Sequence, residues 1–249
     1  ESLEDIIAII SLYRPGPMDS IPTYIANRHN PQNIRYKTPQ LAHILDVTNG
    51  CIVYQEQVMQ ICRELAGFSY GQADLVRRAM SKKKQAVMDA ERRHFVYGST
   101  EPGRECPGCV NNGISAEVAN SIYDEMSSFA SYAFNKSHAA CYAVVAYQTA
   151  YLKCHYPCQF MAALLTSVLD NTNKVIQYTA ECSRLGIRLL APDINESDVG
   201  FTVQGGDIRF GLLALKNVGR NLIEAVVRAR TLNGPYQGLY DFCKRMHGT

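Results

Sequence analysis

A lysine, a histidine and a tyrosine, Lys136, His138 and Tyr142, stand close together at the start of a helical pattern in FASYAFNKSHAACYAVVAYQTAYLK, residues 129–153. Asn135 or Ser137 can cap that helix, and Ala139, Ala140, Ala143 and Ala146 favour it over a strand. Lys136 then sits beside backbone amides that have no intrahelical partner, where an ammonium and free N–H groups both attract a phosphate. His138 and Tyr142 lie one turn apart, so their rings can form a joint platform for a base. The chemistry this predicts is the binding of a phosphorylated, base-bearing ligand. A core helix with a surface lysine and a hydrogen-bonded histidine fits the same residues.

The elements that would position these groups follow from periodicity. Within the helix, Ala140, Val144, Tyr147 and Tyr151, with Cys141, Val145 and Leu152 beside them, predict a buried stripe, and His138, Tyr142, Thr149 and Lys153 a polar one. Upstream, YQEQVMQICRELA at 54–66 puts Val58, Ile61, Cys62 and Leu65 on one helical face and leaves Gln55, Glu56, Gln60 and Arg63 outside it. A second helix, GQADLVRRAM, leads into SKKK. Between Val76 and Arg93, Arg77, Arg78, Lys82, Lys83, Lys84, Arg92 and Arg93 face only Asp89 and Glu91, a local excess of five positive charges against a net charge of +2 for the whole chain. Such a patch neutralises phosphates. The alternative is a solvated helix face on which Asp74 pairs with Arg77 or Arg78, although a single aspartate is not expected to satisfy both guanidinium forks.

LYRPGPMDSIPTYI at 12–25, IVYQEQVMQI at 52–61, ADLVRRAMSKKK at 73–84 and FNKSHAACYAVVAYQTAYLK at 134–153, in that order, resemble the signatures of the bacterial DNA polymerase III alpha subunits, the C-family replicative polymerases. The likeness continues through HYPCQFMAALLTS, APDIN and IRFGLLALKNVGRNLIEAVVRAR. It implies a mainly α fold: a helical fingers domain over residues 1–186, short strands and a hairpin linking residues 187–210, and a helix-hairpin-helix segment over 211–249. It further implies that Arg77, Arg78 and Lys136 meet the triphosphate of an incoming deoxynucleotide, with His138 and Tyr142 against its base. Lys82, Lys83 and Lys84 would meet the DNA backbone.

By the same resemblance, no catalytic or metal-binding residue is expected within this segment, because the Mg2+-binding aspartates of these enzymes belong to a palm domain upstream. Pro192-Asp193-Ile194-Asn195 imitates a palm motif but has an asparagine where a second carboxylate is needed. Expected partners are primer-template DNA and deoxynucleoside triphosphates, with sliding clamp, proofreading exonuclease and clamp loader met through the full-length subunit. A DNA-binding scaffold without enzymatic activity is the alternative.

The C-terminal region carries its own signal. A short helix from about Leu212, a tight turn at Asn217-Val218-Gly219 and a helix from Asn221 to about Arg230 form a helix-hairpin-helix pattern. There Gly219 lets the backbone approach DNA, Lys216 and Arg220 add charge, and helix-starting amides hold a phosphate without reading sequence. Before it, Ile187–Leu190, Gly200–Val203 and Ile208–Phe210 alternate as strands, with Gly205-Gly206-Asp207 as a hairpin turn. Ser115, Pro157 and Asn171 or Thr172 are expected to open three further helices.

With 249 residues and 47% hydrophobic content the chain can bury a substantial core. No long apolar run or signal-peptide pattern is present, so neither membrane insertion nor secretion is expected, and a cytoplasmic setting follows. The start at Glu1, inside the amphipathic ESLEDIIAIISLY, suggests a cut within a longer protein. Nine scattered cysteines fit reduced thiols better than a disulfide framework. Cys106-Pro107-Gly108-Cys109 is read as a surface loop with two free thiols, with half a zinc site or a redox pair as the alternatives.

Overall fold

Helix α1 (Leu3–Leu12) begins where Ser2 and Asp5 exchange hydrogen bonds in a capping box: Ser2 Oγ accepts from Asp5 N at 3.2 Å and Ser2 N donates to the Asp5 carboxylate at 3.0 Å. Arg14-Pro15-Gly16-Pro17 stops it, and α2 (Ile21–His29) returns, tied to α1 by Arg28 Nε on Asp5 at 3.1 Å. The first part of the chain continues with α3 (Ala42–Leu45), α4 (Gln55–Ala66), α5 (Tyr70–Ser81), α6 (Gln85–Tyr97), α7 (Gly108–Asn111), α8 (Ala116–Ala130) and α9 (Lys136–His155). Then follow α10 (Pro157–Ser167), α11 (Thr172–Arg184), β1 (Leu189–Leu190), β2 (Thr202–Gln204), β3 (Asp207–Arg209), α12 (Arg220–Asn233) and α13 (Leu239–Met246). The computed structural model describes residues 2–82, 84–130 and 132–248. The fold is mainly α with one small sheet, as the sequence predicts.

By compactness the chain divides between Val145 and Ala146, where the sequence reading puts its boundary after residue 186. In the first unit the predicted face of α4 is the centre of the core: Val58, Ile61, Cys62 and Leu65 are fully buried with Val76, Phe95, Tyr123 and Met126 around them. Each such aliphatic side chain contributes about 1.5–3 kcal/mol by leaving water. A second cluster gathers Ile7, Leu12, Tyr24, Val53 and Tyr54 against Ala139 and Ala143 of α9.

The two clusters are held in register by one buried polar side chain. Gln57 accepts from Val53 N at 2.9 Å and Tyr54 N at 3.0 Å, and donates to Ile44 O at 3.0 Å and Thr48 Oγ1 at 2.7 Å. Gln57→Leu takes from Val53 N and Tyr54 N their acceptor, while Thr48 Oγ1 keeps Leu45 O and Cys51 O, and about 2 kcal/mol of stability is expected to be lost. Urea denaturation followed by circular dichroism measures it, and an unchanged midpoint refutes the peg.

In the second unit α10 and α11 share a core with the sheet, where Met161, Leu165 and Cys182 meet Phe201 and Ile208. β1 pairs parallel with β3, and β2 pairs antiparallel with β3 through the Gly205-Gly206 turn, in the order β1-β3-β2. Asn171 caps α11 by accepting from Lys174 N at 3.1 Å, and Pro157 opens α10. A further cluster of Leu212, Ile223, Val226 and Tyr236 seats α12. Among the described residues no helix is long and apolar enough to cross a membrane.

Three local expectations are corrected. The buried stripe of α9 is Ala139 and Ala143, whereas Val145 and Tyr147 are 54% and 56% exposed and Val144, Tyr151 and Leu152 are exposed too. The alanines let the first half of α9 approach the core of the first unit closely, while Val144 and Val145 stay exposed. The helix expected from Leu212 is a single 3-10 turn, Leu212–Ala214, and α12 runs three residues past the expected Arg230 to Asn233. The stretch carrying Cys106 and Cys109 is folded inward. Ser99 and Cys106 exchange hydrogen bonds at 2.9 and 3.0 Å, and Cys109 is buried beside the α4 core, where burial pushes its thiol up to about 12. Both thiols are free, but only Cys106 retains exposure.

Candidate nucleotide and DNA site

The segment before α9 is sewn to the segment before α4. Gln55 N donates to Phe134 O at 2.9 Å, Phe134 N to Val53 O at 3.3 Å, and Gln55 Nε2 to Ala133 O at 3.0 Å. From the other side Arg14 donates through Nη2 to Tyr132 O at 2.6 Å and lies 4.4 Å from the Phe134 ring centroid. Gly16 turns there with φ +101°, and a Cβ on it would stand 2.6 Å from the Tyr132 ring, so the Arg-Pro-Gly-Pro bend fits only with glycine. The starts of α4 and α9 therefore lie side by side.

α5 completes the arrangement. Arg77 donates to Asp74 Oδ1 through Nε at 2.9 Å and Nη2 at 2.7 Å, and through Nη1 to Gln55 Oε1 at 3.1 Å. Arg78 reaches Asp74 Oδ2 at 2.7 Å. Asp74 thus contacts both arginines, one on each oxygen, with two donors of Arg77 and the Nε of Arg78. Hydrogen bonding from Arg77 holds the Asp74 carboxyl below its ordinary range, so the clamp is intact above the unfolded carboxyl pKa and is lost as pH falls through the lower folded value. Arg77 is 25% exposed and Arg78 66% exposed. Gln55, Glu56, Met59, Asp74, Arg77 and Asn135 line one cavity of about 250 Å³.

At the head of α9, Asn135 caps the helix by accepting from His138 N at 2.9 Å. The amide expected to be free for a phosphate is engaged: Lys136 N donates to both Glu56 oxygens at 3.1 Å, and Asn135 Nδ2 donates to Oε1 at 3.1 Å. Lys136 Nζ lies 3.2 Å from Glu4 and 5.3 Å from the Tyr54 ring centroid. The Tyr54 hydroxyl is buried without a hydrogen-bond partner, and burial pushes its pKa upward. Phe134, His138 and Tyr142 form a ladder with centroids 5.5 and 4.8 Å apart, each pair tilted by 55°. His138 and Tyr142 are exposed, their faces inclined rather than coplanar.

Residues 1–103 match the family profile described as the bacterial DNA polymerase III alpha subunit finger domain, and residues 186–249 match a helix-hairpin-helix motif. Over 98% of its length the chain is 46% identical to DNA polymerase III subunit alpha of Bacillus subtilis (strain 168) and 47% identical to that of Thermus aquaticus. The chain belongs to the bacterial DNA polymerase III alpha-subunit family. It is also 48% identical over 99% of its length to the subunit from Xylella fastidiosa (strain Temecula1). It spans 20–21% of the length of these relatives.

Sequence reasoning singled out the cations of this finger segment and Asp74 as a partner for the arginines, but not the more distant groups that hold them. Gln55, Glu56 and Asn135 are placed by contacts across 78 to 80 positions, which no local pattern announces. The presence of YQEQ and FNKSH in successive family signatures was the available signal. Of the DNA candidates in this unit, Lys82 and Lys84 are exposed between α5 and α6, and Lys83 lies outside the described residues. Arg92 is turned to Asp124 at 2.5 Å and over Tyr123, away from the role expected of the patch.

In the second unit Lys216, Gly219 and Arg220 are exposed at the turn into α12. The left-handed residue of that turn is Asn217, φ +63°, while Gly219 caps α12 in extended backbone with nothing within 4 Å of a Cβ built on it. Glycine there supplies an open approach to the α12 amides rather than a special conformation.

Proposed function

We propose that this segment is the nucleotide- and DNA-contacting part of a replicative DNA-directed DNA polymerase. Arg77, Arg78 and Lys136 neutralise the triphosphate of the incoming deoxynucleotide, and His138 and Tyr142 pack against its base. The observation that carries the reading is the shared cavity of Arg77 and Asn135. Two helices distant in sequence present a fixed guanidinium and the capping residue of a helix start to the same cavity, with Lys136 next in the chain, an arrangement suited to an extended anion.

What these residues supply is binding and orientation. A triphosphate held by fixed donors is aligned for in-line attack without reorganisation during the reaction. A divalent ion in such enzymes neutralises the developing charge. Among the described residues no three His, Cys, Asp or Glu side chains are arranged to hold one, and we assign the Mg2+-binding aspartates to the palm of the same subunit. Alone, the segment is expected to bind but not to join nucleotides. Lys82, Lys84 and the α12 turn hold primer-template backbone through charge and amides. Clamp, exonuclease and clamp-loader contacts are assigned to the full-length cytoplasmic subunit.

Lys136→Ala in the full-length subunit is expected to raise the KM for deoxynucleotides roughly three- to tenfold, because one partly exposed charge is removed from the phosphates. Steady-state primer extension measures it. Wild-type KM and kcat for that variant would remove the nucleotide assignment.

A further inference from the structure

The Glu56 carboxylate is shared between two helix starts. Glu56 lies in the first turn of α4, where a negative charge is favourable. Its two oxygens also receive Lys136 N at the start of α9, at 3.1 Å each, and Asn135 Nδ2 at 3.1 Å. The same side chain lines the cavity into which Arg77 is fixed. A phosphate seated on Lys136 N would take the place this carboxylate occupies.

We propose that Glu56 is a positioning residue that gates this seat: its carboxylate holds the anion position at the head of α9 in the empty state and yields it to the nucleotide's phosphates. The proposal rests on reading the head of α9 as the triphosphate seat. Release is cheap for a physical reason. On leaving Lys136 N the carboxylate remains within the first turn of α4, so it gives up one helix start and keeps the other. Glu4 plays a parallel part for the ammonium, which it holds at 3.2 Å while half exposed to water. Until phosphates arrive, the amide, the asparagine and the lysine are thus charge-satisfied and held in place. Once they arrive, the displaced carboxylate stands near a like charge, which weakens the hold on nucleotide and on departing pyrophosphate alike.

The test uses the full-length subunit on primed template. Glu56→Gln keeps an acceptor for Lys136 N and removes the charge. It is expected to lower the KM for deoxynucleotide and tighten inhibition by inorganic pyrophosphate, each roughly three- to tenfold, with an unchanged melting curve. Glu56→Asp retains the charge and is expected to tighten neither. A purely structural clamp would lower the melting temperature of Glu56→Gln and leave pyrophosphate inhibition alone, and that result overturns the gate, as does an unchanged or raised KM. Glu56→Ala, read by the same two constants, replaces Glu56→Gln if the latter does not fold. Lys136→Ala in the same assay separates the two ideas. A raised KM there with no tightening in Glu56→Gln ends the gate alone, while wild-type constants for Lys136→Ala end the seat and the gate together.

Discussion

Arg77→Ala in the full-length subunit is expected to lower kcat/KM for deoxynucleotides roughly 100-fold, the scale of removing one preorganised donor from a developing charge. Arg77 is the most constrained of the three proposed phosphate cations: three hydrogen bonds to Asp74 and Gln55 fix its guanidinium plane. A donor already oriented loses little entropy on binding. Arg78, two-thirds exposed and joined to Asp74 through Nε, is expected to matter several-fold less when replaced by alanine. Arg77→Lys should not restore activity, because an ammonium cannot reach Asp74 and Gln55 together while facing a phosphate. Steady-state kinetics across the three variants checks the order. Equal losses for Arg77→Ala and Arg78→Ala would show that net charge, not orientation, is what the site uses.

That ranking could not be read from the sequence, and the reason is general to the fold. Local signals were legible: the apolar face of α4, the Asn135 cap, Pro157 opening α10 and the glycine hairpin between β2 and β3 each depend on residues a few positions apart. The family signatures marked the segments that meet at the site. The counter-ions were not legible, because Glu4 reaches Lys136 across 132 positions and Glu56 reaches Asn135 across 79. Asp74 was visible as a helical neighbour of both arginines, but neither its division of oxygens between them nor the Gln55 contact across 22 positions was. The α9 stripe failed for a related reason: periodicity ranks side chains by hydrophobicity, while contact with Val53 and Tyr54 selected the smallest ones.

The largest stability effect is expected at Gly108, where alanine should cost the first unit about 3 kcal/mol or more. Two terms act there. Its φ of +75° lies in the left-handed region, which alone costs a residue with a Cβ about 1 kcal/mol. The Cβ would also stand 2.1 Å from Gly98 N and 2.6 Å from Tyr97 C, both backbone atoms at the end of α6. Those atoms cannot withdraw freely, because Gly98 N donates to His94 O at 2.8 Å and Ser99 is paired with Cys106. Gly98 is equally crowded from its own side, 2.4 Å from Pro107 O by the same construction, so the contact is between two glycines and neither can grow. Gly113 separates the terms: its φ is +84° and nothing lies within 4 Å of its would-be Cβ, so Gly113→Ala carries the conformational term without the collision. Urea denaturation should therefore place Gly108→Ala well below Gly113→Ala. Equal midpoints would mean that the α6–α7 contact yields without loss, and that the inward fold placing Cys109 in the core is softer than its packing implies.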